Sequence, residues 1–186
     1  MKVIETGLPG VVIIEPEVYY DHRGLFLETW NQDRYTATGL PSCFVQDNLS
    51  ISKKRVLRGM HFQHPHSQGK LVSVLQGEVF DVAVDIRLGS PTFSRWVGVT
   101  LSHENMRQLY IPEGYAHGFL ALSEYAVFHY KCTDYYNPKA EKGIIWSDPD
   151  INIDWPEGVP VLSEKDLANP RLKDMKHHVL PVYDGE

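Results

Sequence analysis

The sequence contains no long apolar run and no excess of positive charge. No stretch approaches the roughly 18 apolar residues of a membrane span, and the opening MKVIETGLPG lacks the apolar core of a secretion signal. Lysine and arginine number 18 against 24 aspartates and glutamates, which gives a net charge of -6. Nucleic acid and anionic membrane surfaces demand a basic face and are not expected partners. We expect a cytoplasmic protein.

Cysteines and linker-like segments are also scarce. Cys43 and Cys132 are the only cysteines, too few for a disulfide framework, and they follow no metal-binding spacing. We therefore expect two reduced thiols. No Ser/Gly-rich or charge-rich segment divides the 186 residues. The length predicts one domain over residues 1–186, with a short amino-terminal strand segment and a helical or extended carboxyl-terminal tail.

The middle of the chain alternates with the period of a β-strand. In EVFDVAVDIR one face carries four apolar side chains, Phe80, Val82, Val84 and Ile86. Asp81 and Asp85 point to the other face. KLVSVLQGEV precedes this strand across Gln76-Gly77, which predicts a hairpin with a short loop.

Further strands and turns predict a mainly β fold. Val97, Val99 and Leu101 share one face of FSRWVGVTLS, and YAVFHYKCT alternates again. Turn signals recur every eight to twelve residues over 57–136, as in a sandwich or small barrel. Short helices are expected in NQDRYTATGL and in LSEKDLANP, both at the periphery. We expect a jelly roll that holds a small ligand at its open end.

Arginine, glycine and histidine cluster in RVLRGMHFQHPH, residues 55–66. In a regular strand Arg58 and His61 would lie on opposite faces. Gly59 lies between them, and a glycine within a strand often marks a bulge that shifts the side-chain phase. Such a bulge would let both cations face one cavity.

The histidines permit two readings of the chemistry. His61, His64 and His66, with His117 further along, could bind a metal ion, but no carboxylate follows the H-x-H and Lys70 would repel a cation. Alternatively, His61 is a general base and Lys70 stabilises an enolate oxygen.

Two further residues fit acid–base chemistry but also have structural explanations. Tyr130 is either an aromatic residue lining the barrel or a proton donor on the far side of a substrate from His61. Asp166 either caps a helix that begins after Ser163 or orients His61.

Taken together, several motifs resemble those of the dTDP-4-dehydrorhamnose 3,5-epimerase family. The matching segments occur in family order over about residues 3–170: DHRGLFLETW, VQDNLS, VLRGMHFQ, QGKLVSVLQGEVFDVAVDIR, SPTF, RQLYIPEGYAHGF, YKCTDYY and LSEKD. The resemblance implies a cupin-like jelly roll, a homodimer, and a site without metal or cofactor. The loop with His64 and His66 varies in the family, so these two residues are expected to be solvated.

The resemblance also implies an activity and a set of site residues. The family inverts C3 and C5 of dTDP-4-dehydro-6-deoxy-D-glucose, giving dTDP-4-dehydro-L-rhamnose for rhamnose biosynthesis. His61 is implied as the base, Asp166 as its orienting partner, Lys70 as the enolate stabiliser and Tyr130 as the proton donor. Further positions match substrate contacts, Lys70 again among them: Arg23, Glu28, Gln46, Asp47, Asn48, Arg58, His117, Glu141 and Lys165.

Four alternative activities remain open at this stage. They are a mono-epimerase acting at C3 or C5 alone, a 3,4-ketoisomerase, a sugar-nucleotide binding module without catalysis, and a metal-dependent oxygenase.

Overall fold

Two antiparallel sheets and a separate hairpin make up the strands of the protein. The computed structural model describes residues 1–156 and 158–185. The strands are β1 (Lys2–Glu5), β2 (Val12–Glu15), β3 (Val18–Asp21), β4 (Gly24–Leu27), β5 (Gln46–Lys53), β6 (Leu57–Gln63), β7 (Lys70–Gln76), β8 (Glu78–Asp85), β9 (Trp96–Ser102), β10 (Gln108–Ile111), β11 (Tyr115–Ala121), β12 (Tyr125–Cys132) and β13 (Glu141–Gly143). The helices are α1 (Gln32–Thr36) and α2 (Glu164–Leu167), with 3-10 turns at Leu172–Asp174 and His177–Val179.

The strand order is that of a two-layer β fold. One sheet runs β1-β2-β10-β7-β12-β5 and the other β13-β6-β11-β8-β9. In the described part of the chain, β3 and β4 pair only with each other. Apolar side chains from both sheets fill the space between them, including Val72, Phe128, Ala83 and Phe119. The expected mainly β jelly roll with small peripheral helices is confirmed.

Strand β8 is buried on both faces. Val82, Val84 and Ile86 pack into a second apolar cluster, as the alternation predicts. The opposite face looks into the space between the sheets, where Asp81 and Asp85 have no exposed surface. A buried carboxylate needs hydrogen-bonding partners, and both aspartates have them.

The predicted hairpin around Gln76-Gly77 is wrong. β7 belongs to the six-stranded sheet and β8 to the five-stranded sheet, so the two strands do not pair. Gly77 alone separates them, which leaves no room for a two-residue hairpin turn. Gly77 has a φ of +81°, and at this residue the chain passes from the six-stranded sheet to the five-stranded sheet. Glu78 N donates to Ser123 Oγ and not to β7.

The segment before α2 pairs with the start of β6 and thereby fixes where α2 lies. Leu57 N donates to the carbonyl of Val161, and Val161 N donates to the carbonyl of Arg55. Ser163 then caps α2 by accepting a hydrogen bond from the backbone N–H of Asp166, as the capping-box spacing predicts. α2 therefore stands beside the strand that carries His61.

The β3–β4 hairpin projects apolar side chains into solvent. Tyr20 and Phe26 are each 70% exposed, and Tyr19 and Leu25 are exposed as well. Within the described part of the chain, no helix is long and apolar enough to cross a membrane.

Candidate active site

A bulge in β6 brings Arg58 and His61 to one cavity. His61 lies opposite His117 of β11 and Arg58 lies opposite Phe119, so two residues of β6 face the single residue Gly118. Gly59 has a φ of +138°, and a Cβ there would lie 2.6 Å from the Cα of Gly118. The backbone conformation and the close packing both favour glycine. The predicted bulge is confirmed.

The cavity of about 480 Å³ at this bulge gathers the four expected catalytic side chains. His61 comes from the five-stranded sheet, whereas Lys70 and Tyr130 come from β7 and β12 of the six-stranded sheet. Asp166 reaches the cavity from α2. A base and an acid that belong to facing sheets can approach a bound molecule from two sides.

His61 and Asp166 form a hydrogen-bonded pair. His61 Nε2 lies 2.6 Å from Asp166 Oδ1. An ionised carboxylate only accepts hydrogen bonds, so Nε2 carries the proton in neutral His61 and Nδ1 is free to accept another. Burial alone would raise the pKa of Asp166, but hydrogen bonds and the charge of His61 hold it below its ordinary value. Asp166 can therefore orient His61 and stabilise its cationic form.

The two residues from the opposite sheet have shifted pKa values. Burial lowers the pKa of Lys70, an effect that the nearby Cys132, Asp81 and Glu141 oppose. Burial raises the pKa of Tyr130, so its hydroxyl keeps its proton at neutral pH. Within residues 1–156 and 158–185, Lys70 has no ion-pair partner. A cation without a carboxylate partner is suited to stabilise a developing oxyanion.

A second cavity, of about 290 Å³, is also lined by His61, Lys70 and Tyr130. Gln46, Asn48 and Glu141 extend the lining away from these shared residues. Gln46 Nε2 donates to Asn48 Oδ1 at 3.0 Å, which fixes both amide orientations. The two cavities therefore flank the same three side chains.

Lys165 and Glu141 connect the linings of the two cavities. Lys165 lines the larger cavity and Glu141 the smaller one. Lys165 Nζ lies 2.5 Å from Glu141 Oε2, and Tyr136 donates its hydroxyl hydrogen to the same carboxylate oxygen.

Three of the expected substrate-contacting residues lie outside both cavities. Asp47 points to the outer face of β5, because Gln46 and Asn48 point inward, and it pairs with Lys131. Arg23 lies at the turn of the β3–β4 hairpin, where its side chain is 79% exposed and pairs with Asp21. Glu28 follows the hairpin and pairs with Arg34. Within a single chain these residues do not meet the other site residues.

A second histidine–carboxylate pair lies beside the first and was missed by sequence reasoning. His117 lines the larger cavity, as expected, and its Nε2 lies 3.0 and 2.9 Å from the two carboxylate oxygens of Asp81. Both residues are buried. The sequence signal for it was the pair Asp81 and Asp85, two acidic residues within the mostly apolar run VFDVAVD.

His64 and His66, the other histidines considered as metal ligands, are not among the residues that line the two cavities. His64 and His66 follow β6 in a loop, and the side chain of His66 is largely exposed. Within residues 1–156 and 158–185, no three His, Cys, Asp or Glu side chains form a group that could hold a metal ion. Cys43 is exposed, Cys132 is buried, and both are free thiols, as expected.

Comparison with known proteins identifies the family. Residues 5–174 match the family model described as dTDP-4-dehydrorhamnose 3,5-epimerase. A curated dTDP-4-dehydrorhamnose 3,5-epimerase from Methanothermobacter thermautotrophicus is 56% identical over 185 residues, covering 98% of this chain and 97% of its own.

Solved structures of similar proteins share the fold of this chain over nearly its whole length. A dTDP-6-deoxy-D-glucose-3,5-epimerase from Legionella pneumophila, in complex with dTDP-4-keto-L-rhamnose, superposes with a TM-score of 0.97 at 54% identity, covering 99% of both chains. A 3'-monoepimerase from Streptomyces bikiniensis, in complex with dTDP-quinovose, gives a TM-score of 0.90 at 34% identity and covers 96% of this chain and 92% of its own. The sequence match and the shared architecture together show that the chain belongs to the dTDP-4-dehydrorhamnose 3,5-epimerase family.

Proposed function

We propose that this protein converts dTDP-4-dehydro-6-deoxy-D-glucose to dTDP-4-dehydro-L-rhamnose by inverting C3 and C5. The observation that carries the proposal is the arrangement of the larger cavity. There the His61–Asp166 pair comes from one side, Tyr130 from the facing sheet, and the unpaired cation Lys70 lies in the same cavity.

The first chemical step is removal of a proton from carbon. The C3 and C5 protons are acidified by the neighbouring C4 ketone, because the electrons left behind delocalise onto the ketone oxygen. His61 accepts the proton at Nδ1, and Asp166 stabilises the imidazolium that forms. Lys70 stabilises the enolate oxygen, a contribution of about 10²- to 10³-fold in rate for one such donor.

The second step returns a proton to the opposite face of the same carbon. Tyr130 is the donor, and its raised pKa keeps it protonated until the enolate forms. Donation to the face opposite His61 inverts the carbon, whereas return from His61 would regenerate the starting configuration. The same groups serve C3 and C5 in turn, since both carbons adjoin the one ketone; between the two inversions His61 releases its proton to solvent and Tyr130 takes one up.

The charge of the site supports a nucleotide-linked substrate. Arg58 lines the same cavity as His61 and carries a guanidinium suited to a diphosphate. Related structures hold dTDP-4-keto-L-rhamnose and dTDP-quinovose. We therefore place the diphosphate near Arg58 and the sugar between His61 and Tyr130.

A homodimer is part of the proposal. The β3–β4 hairpin exposes Tyr20 and Phe26, and apolar side chains on a projecting hairpin are typical of an interaction surface. Arg23 and Glu28 belong to this region and line neither of the two cavities that contain His61. We propose that two copies exchange these hairpins so that each completes the other's site. The cytoplasmic location stays a prediction.

A mono-epimerase is the second candidate, favoured by the similarity to the Streptomyces bikiniensis 3'-monoepimerase. The two candidates share the cavity chemistry and differ in how many carbons are inverted.

The deciding experiment is NMR analysis of the products formed from dTDP-4-dehydro-6-deoxy-D-glucose. Proton coupling constants that show inversion at C3 and C5 would establish the 3,5-epimerase. Inversion at one carbon would establish the mono-epimerase, a ketone moved to C3 would establish the ketoisomerase, and unchanged substrate would contradict an enzymatic role on this compound.

A further inference from the structure

The inward face of β5 continues as a polar row beyond Asn48. Ser50 lies opposite Phe128 of β12 and Ser52 lies opposite Ala126, both in the same alternation as Gln46 and Asn48. The outward side chains between them, Leu49 and Ile51, are exposed. Ser50 and Ser52 therefore face the interior near the larger cavity.

Ser52 holds one side of the Arg58 guanidinium. Its hydroxyl oxygen accepts a hydrogen bond from Arg58 Nε at 3.0 Å, and Ser52 is only 2% exposed. A bond at Nε fixes the plane of the group and leaves the terminal nitrogens for another acceptor. In the described ranges Arg58 has no ion pair, whereas the buried Asp85 neutralises Arg87. The cavity thus contains an oriented arginine that no carboxylate neutralises.

Ser50 supplies a hydroxyl group without a partner. It lines the same cavity as Arg58, and its Oγ is buried and has no hydrogen bond to any of the described residues. Leaving a buried hydroxyl unpaired is unfavourable, and native structures contain few such groups. A ligand oxygen near Arg58 would satisfy it.

We propose that Ser50 and Ser52 complete a phosphate-binding subsite around Arg58. Ser52 is a positioning residue that orients the guanidinium, and Ser50 donates a hydrogen bond to an oxygen of the phosphate that Arg58 binds. The inference rests on the proposed function, because it takes a nucleoside diphosphate sugar as the ligand. It adds to that function the residues that determine affinity for the diphosphate.

Calorimetric titration with dTDP tests the binding role. Ser50→Ala and Ser52→Ala are each expected to raise the Kd for dTDP about tenfold, since each change weakens a hydrogen bond to a charged group. Ser73→Ala is the matched control. Ser73 is buried on β7 between Val72 and Val74, on the face opposite the core, and its replacement should leave the Kd unchanged. Unchanged affinity in both test variants, with melting temperatures like that of the wild type, would overturn the inference.

A double-mutant comparison tests whether Ser52 acts through Arg58. In an Arg58→Gln background, Ser52→Ala should cause no further loss of dTDP affinity. A tenfold loss in that background would overturn the positioning role. With saturating sugar nucleotide, both serine variants should retain the wild-type kcat and show a raised KM, because the diphosphate keeps its charge and its contacts between the ground state and the transition state.

The outcomes separate this inference from the proposed function. Serine-dependent dTDP binding without epimerisation would support the subsite and refute the activity. Epimerisation by a wild-type protein whose serine variants bind dTDP normally would refute the subsite and leave the activity in place. Failure of the wild type to bind dTDP would refute the subsite.

Discussion

At the scale of single residues, the proposed mechanism depends on how each titratable group is paired. His61 has a buried carboxylate partner, while Lys70 has no ion pair among the described residues. The first arrangement favours a base that becomes positively charged during the reaction, and the second leaves a positive charge for the substrate.

Replacing Asp166 with asparagine should impair catalysis more than binding. Asparagine preserves the shape of the side chain but removes the charge that stabilises the His61 imidazolium. We expect kcat to fall about 10²-fold or more, with KM little changed. Steady-state kinetics measure this, with Asp174→Asn at an exposed position as the control. A wild-type kcat in Asp166→Asn would contradict the role of the pair.

The pH dependence of activity should reflect Lys70. Its pKa lies below the ordinary 10.5, so it loses its charge at a lower pH than an exposed lysine does. Activity should therefore fall as pH rises, with a midpoint below 10.5. Tyr130 cannot cause this loss before its own pKa, which is raised above 10.0.

Lys70→Arg provides the control for this assignment, because a guanidinium stays charged across this range. We expect a lower kcat and no basic decline in its pH–rate profile. A profile that declines as in the wild type would show that another group titrates.

Residue types and spacing predict part of the site and not the rest. His61 and Lys70 stand out because cations are unexpected in apolar strands. Alternation correctly separates Asp81 from the apolar face of β8, but its burial and its contact with His117 depend on how β8 and β11 pair, which no local pattern reveals. Serine is too common a residue for Ser50 and Ser52 to indicate a function from the sequence.

At the scale of elements, the β6 bulge determines whether Arg58 and His61 share a cavity. Gly59→Ala should lower the free energy of unfolding by about 3 kcal/mol or more, because it adds a backbone clash to an unfavourable φ. Gly89→Ala is the control: its φ of +83° is also positive, but among the described residues nothing lies within 4 Å of the added Cβ. We expect a loss of about 1–2 kcal/mol there. Urea unfolding measures both, and equal losses would contradict the packing argument.

Helix α2 positions Asp166, and its stability depends on the cap. Ser163→Ala removes the acceptor for the backbone N–H of Asp166. We expect a loss of about 1 kcal/mol in unfolding free energy, together with a lower kcat. Thermal unfolding and kinetics test the two effects. An unchanged stability would show that backbone pairing before α2 suffices to hold it.

Element identity was easier to predict than element pairing. Alternation located β8, β9 and β12, and capping residues located α2, because these signals are local. The error at Gln76-Gly77 arose because a turn signal does not state which sheet the next strand enters. In a jelly roll, consecutive strands often cross between sheets, and long-range packing decides this.

At the scale of the whole molecule, the hairpin should mediate self-association. We expect the wild type to sediment at twice the mass of the 21.3 kDa chain. Phe26→Asp places a charge among the exposed apolar side chains of the hairpin and should yield a monomer with little activity. Val182→Asp, at another exposed apolar position, is the control and should remain dimeric. A fully active wild-type monomer would contradict hairpin exchange.

Arg23 and Glu28 are predicted site residues that a single chain does not bring to the site. The resemblance to the family implies that both contact substrate, yet neither lines the two cavities of its own chain that contain His61. The sequence shows that these residues are charged, but it does not show which subunit's site they would complete. In the proposed dimer, the partner's hairpin would bring these two residues to the site.

The most direct test of the central claim follows deuterium from D2O into dTDP-4-dehydro-6-deoxy-D-glucose in the wild type, His61→Ala and Tyr130→Phe. We expect label at C3 and C5 with inversion in the wild type and no label with His61→Ala. Tyr130→Phe should still label the sugar but retain its configuration, since the base remains and the opposite-face donor is gone. Undiminished labelling by His61→Ala, or inversion at the wild-type rate by Tyr130→Phe, would contradict the account.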